Sequence, residues 1–93
     1  MGIEIRHDEE QQRFVAEVDG AEAVVQYRQP DEHTLDLYRT YTPDALRGRG
    51  IAGRIVEAAL EHAQAVGLRV VPTCPYVARF IEKHPEYQEL VAD

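Results

Sequence analysis

The apolar residues of this 93-residue chain change their spacing once, between Tyr41 and Ile51, and that single change restricts the folds open to it. Before it they alternate with polar residues, as on a half-buried strand; after it they recur every 3.6 residues, as on one face of a helix. Ile3 and Ile5 begin the alternation, and the polar run His7–Gln12 breaks it. Phe14, Ala16 and Val18 form a second strand over 13–18, and Asp19-Gly20 leads at once into a third over 21–29. A two-residue Asp-Gly link is a strong hairpin signal, because both central residues of a type I′ turn need φ > 0. Pro30, Asp31 and Glu32 make the next turn, and Leu35 and Leu37 face inward on a fourth strand over 34–41.

Beyond the switch, Ala52, Ile55, Val56, Ala59, Leu60, Ala63 and Val66 define an amphipathic helix over 51–66, ended by Gly67. Leu68–Val71 suits a short buried strand. Pro75 opens a second helix with Val77, Phe80 and Ile81 on its apolar face, His84-Pro85 ends it, and Tyr87 and Leu90 close the core. The expected fold is α+β, in the order ββββ-α-β-α, with a mostly antiparallel sheet and one strand-helix-strand crossover. Residues 1–93 are expected to form a single domain.

Charge is unevenly spread within a net −7. Eleven acids face four bases before Arg47, and six face six from there on. Such a chain is a poor general binder of nucleic acid, which needs clustered Lys and Arg. Arg47, Arg49 and Arg54 nonetheless fall close together, and a cationic spot on an acidic body suits a small anionic ligand. One cysteine, Cys74, excludes an internal disulfide and a multi-cysteine zinc site. No apolar run approaches a membrane span, and the N-terminus lacks the apolar core of a signal peptide, so a cytoplasmic location is expected.

The stretch Thr40–Gly53 (TYTPDALRGRGIAG) carries most of the chemical information. Gly48 and Gly50 stand just before the long helix, where they let the backbone curl so that successive N–H groups converge at its positive end, and an anion is favoured there. The plainer reading is a glycine turn flanked by solvated arginines. The stretch is neither a Walker A loop, since no Gly-Lys-Ser/Thr ends it, nor a dinucleotide fingerprint, since the preceding strands are antiparallel.

Arg47-Gly48-Arg49-Gly50-Ile51-Ala52 resembles the Arg/Gln-x-x-Gly-x-Gly/Ala signature of the GNAT superfamily of acetyl-CoA-dependent N-acetyltransferases, and its strand-loop-helix-strand-helix setting is similar to theirs. With Cys74-Pro75-Tyr76 at the start of the last helix, the chain looks like a small single-domain GNAT-like subfamily. The resemblance implies a GNAT fold and an acetyl-CoA co-substrate without a metal. It also implies that the backbone around Arg47, Gly48, Arg49, Gly50, Ile51 and Ala52 binds the CoA pyrophosphate. Arg39, Thr40, Tyr41 and Thr42 would run beside the pantetheine arm and aim an amide at the acetyl carbonyl. Cys74 and Tyr76 would lie near the thioester. The subfamily pattern has His-Thr and an acidic residue where this chain has Arg39-Thr40-Tyr41, which leaves the proton acceptor unassigned.

Read without the family, Cys74 at a helix start has a favoured thiolate and is a candidate nucleophile or proton donor; most lone cysteines are instead inert packing residues. Tyr76 is a second candidate acid or an aromatic packing residue. His33, His62 and His84 read as solvated or capping. His7, Asp8, Glu9 and Glu10 read as an acidic loop, and Arg79 and Lys83, four apart, as surface cations within reach of a CoA phosphate. The activity that the resemblance implies is acetyl transfer to a primary amine, such as one on a basic protein or peptide. The alternative is a CoA-binding or protein-interaction module with little catalysis.

Overall fold

The computed structural model describes residues 3–92; Met1, Gly2 and Asp93, included in the expected domain, lie outside the described residues. Strands β1 (Ile5–Asp8), β2 (Arg13–Val18), β3 (Ala21–Asp31) and β4 (Thr34–Tyr41) form an antiparallel meander. Helix α1 (Ile51–Val66) then crosses back, and β5 (Arg69–Val71) pairs parallel to β4, giving the sheet order β1-β2-β3-β4-β5. Helix α2 (Pro75–Lys83) and a 3-10 turn (Pro85–Leu90) complete the fold. The expected α+β, mostly antiparallel architecture is observed.

One face of the sheet carries Phe14, Ala16, Ala23, Val25, Tyr27, Leu35 and Leu37, all buried. The apolar stripe of α1 (Ile51, Ile55, Val56, Ala59, Leu60 and Ala63) packs on it. Each fully buried aliphatic side chain there contributes about 1.5–3 kcal/mol. Val15 and Val24 are buried on the opposite face, in one cross-strand row with Arg6 and Tyr41, whose long side chains are placed to cover them.

Several boundaries differ from expectation for physical reasons. β1 does not stop at Arg6: His7 pairs with Phe14, its ring stacked 4.1 Å away, and Asp8 pairs with Arg13 through an ion pair of 3.4 Å. His7 is therefore no loop residue; its Nε2 also meets the Tyr27 hydroxyl at 2.6 Å. His62 is neither solvated nor a cap, because its ring packs edge-on against His7 at 4.5 Å. His84 does cap, meeting the Phe80 carbonyl through Nδ1 at 2.8 Å. β3 runs to Asp31 rather than Gln29, with Pro30 exposed where the ladder to β4 slips, so its missing N–H costs little. β5 starts at Arg69 because the N–H of Leu68 is used by the end of α1, donating to Ala63 at 2.8 Å.

Candidate functional site

β4 has two halves that behave differently. From Thr34 to Asp36 it is hydrogen-bonded on both sides, to β3 and to β5. The parallel pairing then ends, and the N–H of Cys74 makes a last bond to the Leu37 carbonyl at 3.0 Å. Beyond that point the far edge of β4 is open. A bulge at Tyr38, where Tyr27 pairs with Leu37 but Gln26 with Arg39, also reverses which side chains face inward. Unbroken alternation from Leu35 and Leu37 would have turned Arg39 and Tyr41 inward. Instead Thr40 lies on the inner face opposite Val25, while Arg39 bonds to Gln26 at 2.6 Å on the outer face and Tyr41 stands opposite Val24.

The same ladder fixes the direction of the main chain. Tyr27 donates to the carbonyl of Gln12, just ahead of β2, so Gln26 addresses β4 and Val25 addresses β2. The peptide groups of Thr40, paired with Val25, therefore point away from β3 and across the open edge, towards Cys74.

Opposite that edge lies the glycine loop. A short 3-10 turn, Asp44–Leu46, drops Leu46 into the core at 1% exposure. Gly48 (φ 80°) and Gly50 (φ 74°) then adopt left-handed conformations that other residues enter only with strain. Gly50 caps α1 with no side-chain hydrogen bond. Among the described residues, the first N–H after Arg47 seen to reach a backbone carbonyl outside the helix is that of Arg54, at 3.3 Å from Gly50. The amides ahead of it are the orphan donors of a helix N-terminus, where the helix dipole is positive. They border a cleft of about 380 Å³ lined by Thr40, Thr42, Leu46, Arg47, Gly48, Gly50, Ile51, Ala52 and Tyr76.

Cys74 closes the inner end of this region, only 7% exposed, with its Sγ 3.6 Å from the Thr40 hydroxyl. Burial pushes its thiol up, but the Thr40 hydroxyl and the N–H groups of Val77, Tyr76 and Thr40 outweigh burial, and the net shift is downward from the ordinary thiol value. Tyr76, 43% exposed, stands at the cleft mouth.

The structure thus brings Thr40, Thr42, Arg47, Gly48, Gly50, Ile51, Ala52 and Tyr76 to one cleft, with Cys74 beside Thr40. Arg39 and Tyr41 turn their side chains away from it. Arg49 also leaves, pairing with Asp19 in the hairpin turn at 3.0 Å, and Arg47 is braced by Asp44 at 3.2 Å and the Thr42 carbonyl at 3.1 Å. Sequence reasoning missed Leu46; its signal was a lone aliphatic residue in an otherwise polar loop. Arg79 and Lys83, expected as surface cations within reach of a CoA phosphate, are both exposed, and they wall a second cavity of about 180 Å³ with Tyr76 and Phe80. No group of side chains suited to a metal ion occurs among the described residues. No helix among them is long and apolar enough to cross a membrane.

A parallel β4–β5 seam that opens past three residue pairs, a glycine loop at the head of the crossover helix and a thiol at the opening define an acetyltransferase-type fold. The profile of the GCN5-related N-acetyl-transferase family matches residues 13–90, and the chain belongs to that family. Among curated proteins it is similar to Protein NATD1 of Bos taurus, 36% identical over 90 residues that cover 95% of this chain and 80% of that protein. It is likewise similar to Protein NATD1 of Xenopus tropicalis, 33% identical and covering 95% and 83%. Among solved structures, the NMR structure of a GCN5-like protein from Staphylococcus aureus superimposes with a TM-score of 0.76 at 26% identity, covering 96% of this chain and 87% of that one.

Proposed function

We propose that this protein binds acetyl-CoA and transfers the acetyl group to a primary amine. The observation that carries the reading is the group of residues Gly48, Gly50, Ile51 and Ala52 at the head of α1, whose amides have no backbone acceptor among the described residues and which border a cleft that leads to Thr40 and Cys74. These donors suit the pyrophosphate of the co-substrate, with Arg47 fixed at the rim to add charge. The co-substrate supplies an activated thioester. Arg39, Thr40, Tyr41 and Thr42 contribute backbone along its arm. The Thr40 N–H, which crosses the open edge and in the free protein faces the Cys74 sulfur, is the group placed to stabilise an oxyanion when the thiol is protonated or acylated.

In direct transfer the amine nitrogen attacks the thioester carbon, the carbon–sulfur bond breaks, the amine's proton passes to solvent in the open cleft, and the departing sulfur gains a proton. Tyr76 is the proton donor at the cleft. Holding both reactants in one complex supplies much of the rate. The lowered thiol of Cys74 favours a second route, in which its thiolate attacks the thioester carbon and expels the CoA thiolate, and the amine then attacks the same carbon and releases the Cys74 thiolate. The net charge of −7 and an open cleft favour a cationic acceptor such as a lysine-rich peptide.

Calorimetry with acetyl-CoA, followed by mass spectrometry of basic peptides and polyamines incubated with enzyme and acetyl-CoA, tests the reading. Binding and a mass gain on an amine are expected. Binding with no turnover on any amine would leave a CoA-binding module, and no binding would remove the proposal. Cys74→Ala separates the routes: retained turnover selects direct attack, whereas lost turnover with retained binding selects the relay.

A further inference from the structure

The parallel seam between β4 and β5 does not simply stop. Arg69 donates to His33, so alternate residues of β5 address β4, and regular pairing would give the next bond to the N–H of Thr73. Instead the Thr73 N–H turns back to the Val71 carbonyl at 3.0 Å, and Cys74 takes the Leu37 carbonyl. One residue is thus looped out where the seam opens, and its N–H is no longer tied to β4. Its side chain is. The Thr73 hydroxyl donates to Asp36 Oδ1 at 2.6 Å, across 37 positions of sequence. Asp36 belongs to the last pair of the seam and lies on the outer face, between the inward Leu35 and Leu37. Arg28 of β3 stands 3.9 Å from the other carboxylate oxygen, its guanidinium over the ring of Tyr38 at the bulge. A carboxylate acceptor makes the bond from Thr73 stronger than one between neutral groups.

We propose that Asp36 is a positioning residue of the transfer site: by holding the Thr73 hydroxyl it fixes where the start of α2, and with it Cys74 and Tyr76, stands against Thr40. Its catalytic consequence rests on the acetyl-transfer reading above; the tether itself does not. α2 begins at Pro75, two residues past the looped-out threonine. Two bonds to β4 locate that start, Thr73 to Asp36 and Cys74 to Leu37. What they aim is the Cys74 sulfur, 3.6 Å from the Thr40 hydroxyl and faced by the N–H groups of Tyr76 and Val77. With the side-chain bond gone, only the Cys74 N–H holds the helix start to β4, and these donors no longer converge on one point. Asp36 itself sits on the face of the sheet opposite the glycine-loop cleft, so it acts through Thr73 and not on the co-substrate.

Cys74 is the single thiol of the chain, so its iodoacetamide labelling followed across pH reads this placement directly. Thr73→Val and Asp36→Ala each remove the tether and should move the labelling midpoint upward, because the donors that favour the thiolate are scattered. Thr73→Ser keeps the hydroxyl and Asp36→Asn keeps an acceptor oxygen, and both should hold the wild-type midpoint. The double variant Asp36→Ala/Thr73→Val should move it no further than either single one, since all three lose the same bond. In acetyl transfer the deletion variants should turn over about tenfold more slowly, with acetyl-CoA affinity by calorimetry changed less than about threefold, because misplaced reacting groups cost rate rather than binding. Thermal melts establish that each variant is folded. An unmoved midpoint in both deletion variants, or one that moves as far in Thr73→Ser and Asp36→Asn, would overturn the role of Asp36. Should wild type neither bind acetyl-CoA nor transfer from it, the reading above falls, and the labelling profiles still decide the tether.

Discussion

Both helices begin at the same cleft, but they spend their N-terminal donors differently. α1 starts from a left-handed glycine with no side-chain cap, so its first amides remain open to whatever enters. α2 starts from Cys74, and the N–H groups of Tyr76 and Val77 are directed at its sulfur without closing a cap hydrogen bond. The same electrostatic element, the positive end of a helix, thus serves a ligand anion in one case and a thiolate in the other. Glycine caps a helix only about a few tenths of a kcal/mol less well than serine or aspartate, and at α1 it leaves the first amides without a side chain competing for them, which suits the cofactor reading.

The difference can be broken most severely at its anchor. Leu46→Ala removes a fully buried side chain beneath the glycine loop and should lower unfolding stability by about 2–4 kcal/mol in denaturant titration. Gly50→Val comes next. A β-branched residue at φ 74° should cost about 1–3 kcal/mol and reduce acetyl-CoA affinity at least about tenfold by calorimetry. Undiminished affinity would count against the cradle. The space around Gly50 holds no protein atom within 4 Å of a built Cβ, so the stability loss comes from backbone strain rather than a clash.

The α2 side is probed more gently by Thr40→Val, which deletes the hydroxyl 3.6 Å from Cys74 Sγ. Iodoacetamide labelling of wild type should show a thiol that ionises below the ordinary value, and the variant should shift that midpoint upward. The sign for stability follows. A thiol whose folded pKa is depressed adds stability that is complete above the unfolded thiol value and is lost as pH falls through the folded one. Wild type should therefore gain stability with rising pH across that interval, and Thr40→Val should gain less, as thermal melts at stepped pH would show. The smallest effect belongs to Arg49→Ala. Its exposed pair with Asp19 contributes less than about 1 kcal/mol, and because the side chain turns away from the cleft, acetyl-CoA affinity should change less than about threefold.

Much of this arrangement was legible from local pattern. Asp19-Gly20, the alternation around Leu35 and the 3.6-residue stripe from Ile55 to Ala63 each depend on near neighbours in the chain, and they placed the strands, the helix and the glycine loop. What was not legible depends on partners distant in sequence. Nothing within TLDLYRTY marks Tyr38 as a bulge, because the slip exists only against Gln26 and Tyr27. Alternation continued from Leu35 and Leu37 would put Arg39 and Tyr41 inward and Thr40 outward, the reverse of what the fold shows. Arg49 looked like a ligand for phosphate because Asp19, thirty residues earlier, could not be foreseen as its partner. His62 looked solvated because only the fold lays His7 against it. Leu46 was passed over because a single aliphatic residue has no periodicity.

The bulge at Tyr38 has a lasting consequence for how this strand tolerates change. Ahead of it the odd-numbered positions, Leu35 and Leu37, belong to the interior, and past it the even-numbered ones do. Were the slip smoothed out at unchanged length, regular alternation from Leu37 would put the Arg39 guanidinium where the Thr40 hydroxyl now meets the thiol, whereas loss of Tyr38 itself would leave Arg39 opposite Gln26 and Thr40 opposite Val25. The irregularity itself therefore holds Thr40 beside Cys74, and loss of the extra residue is the change of length that this strand is expected to tolerate.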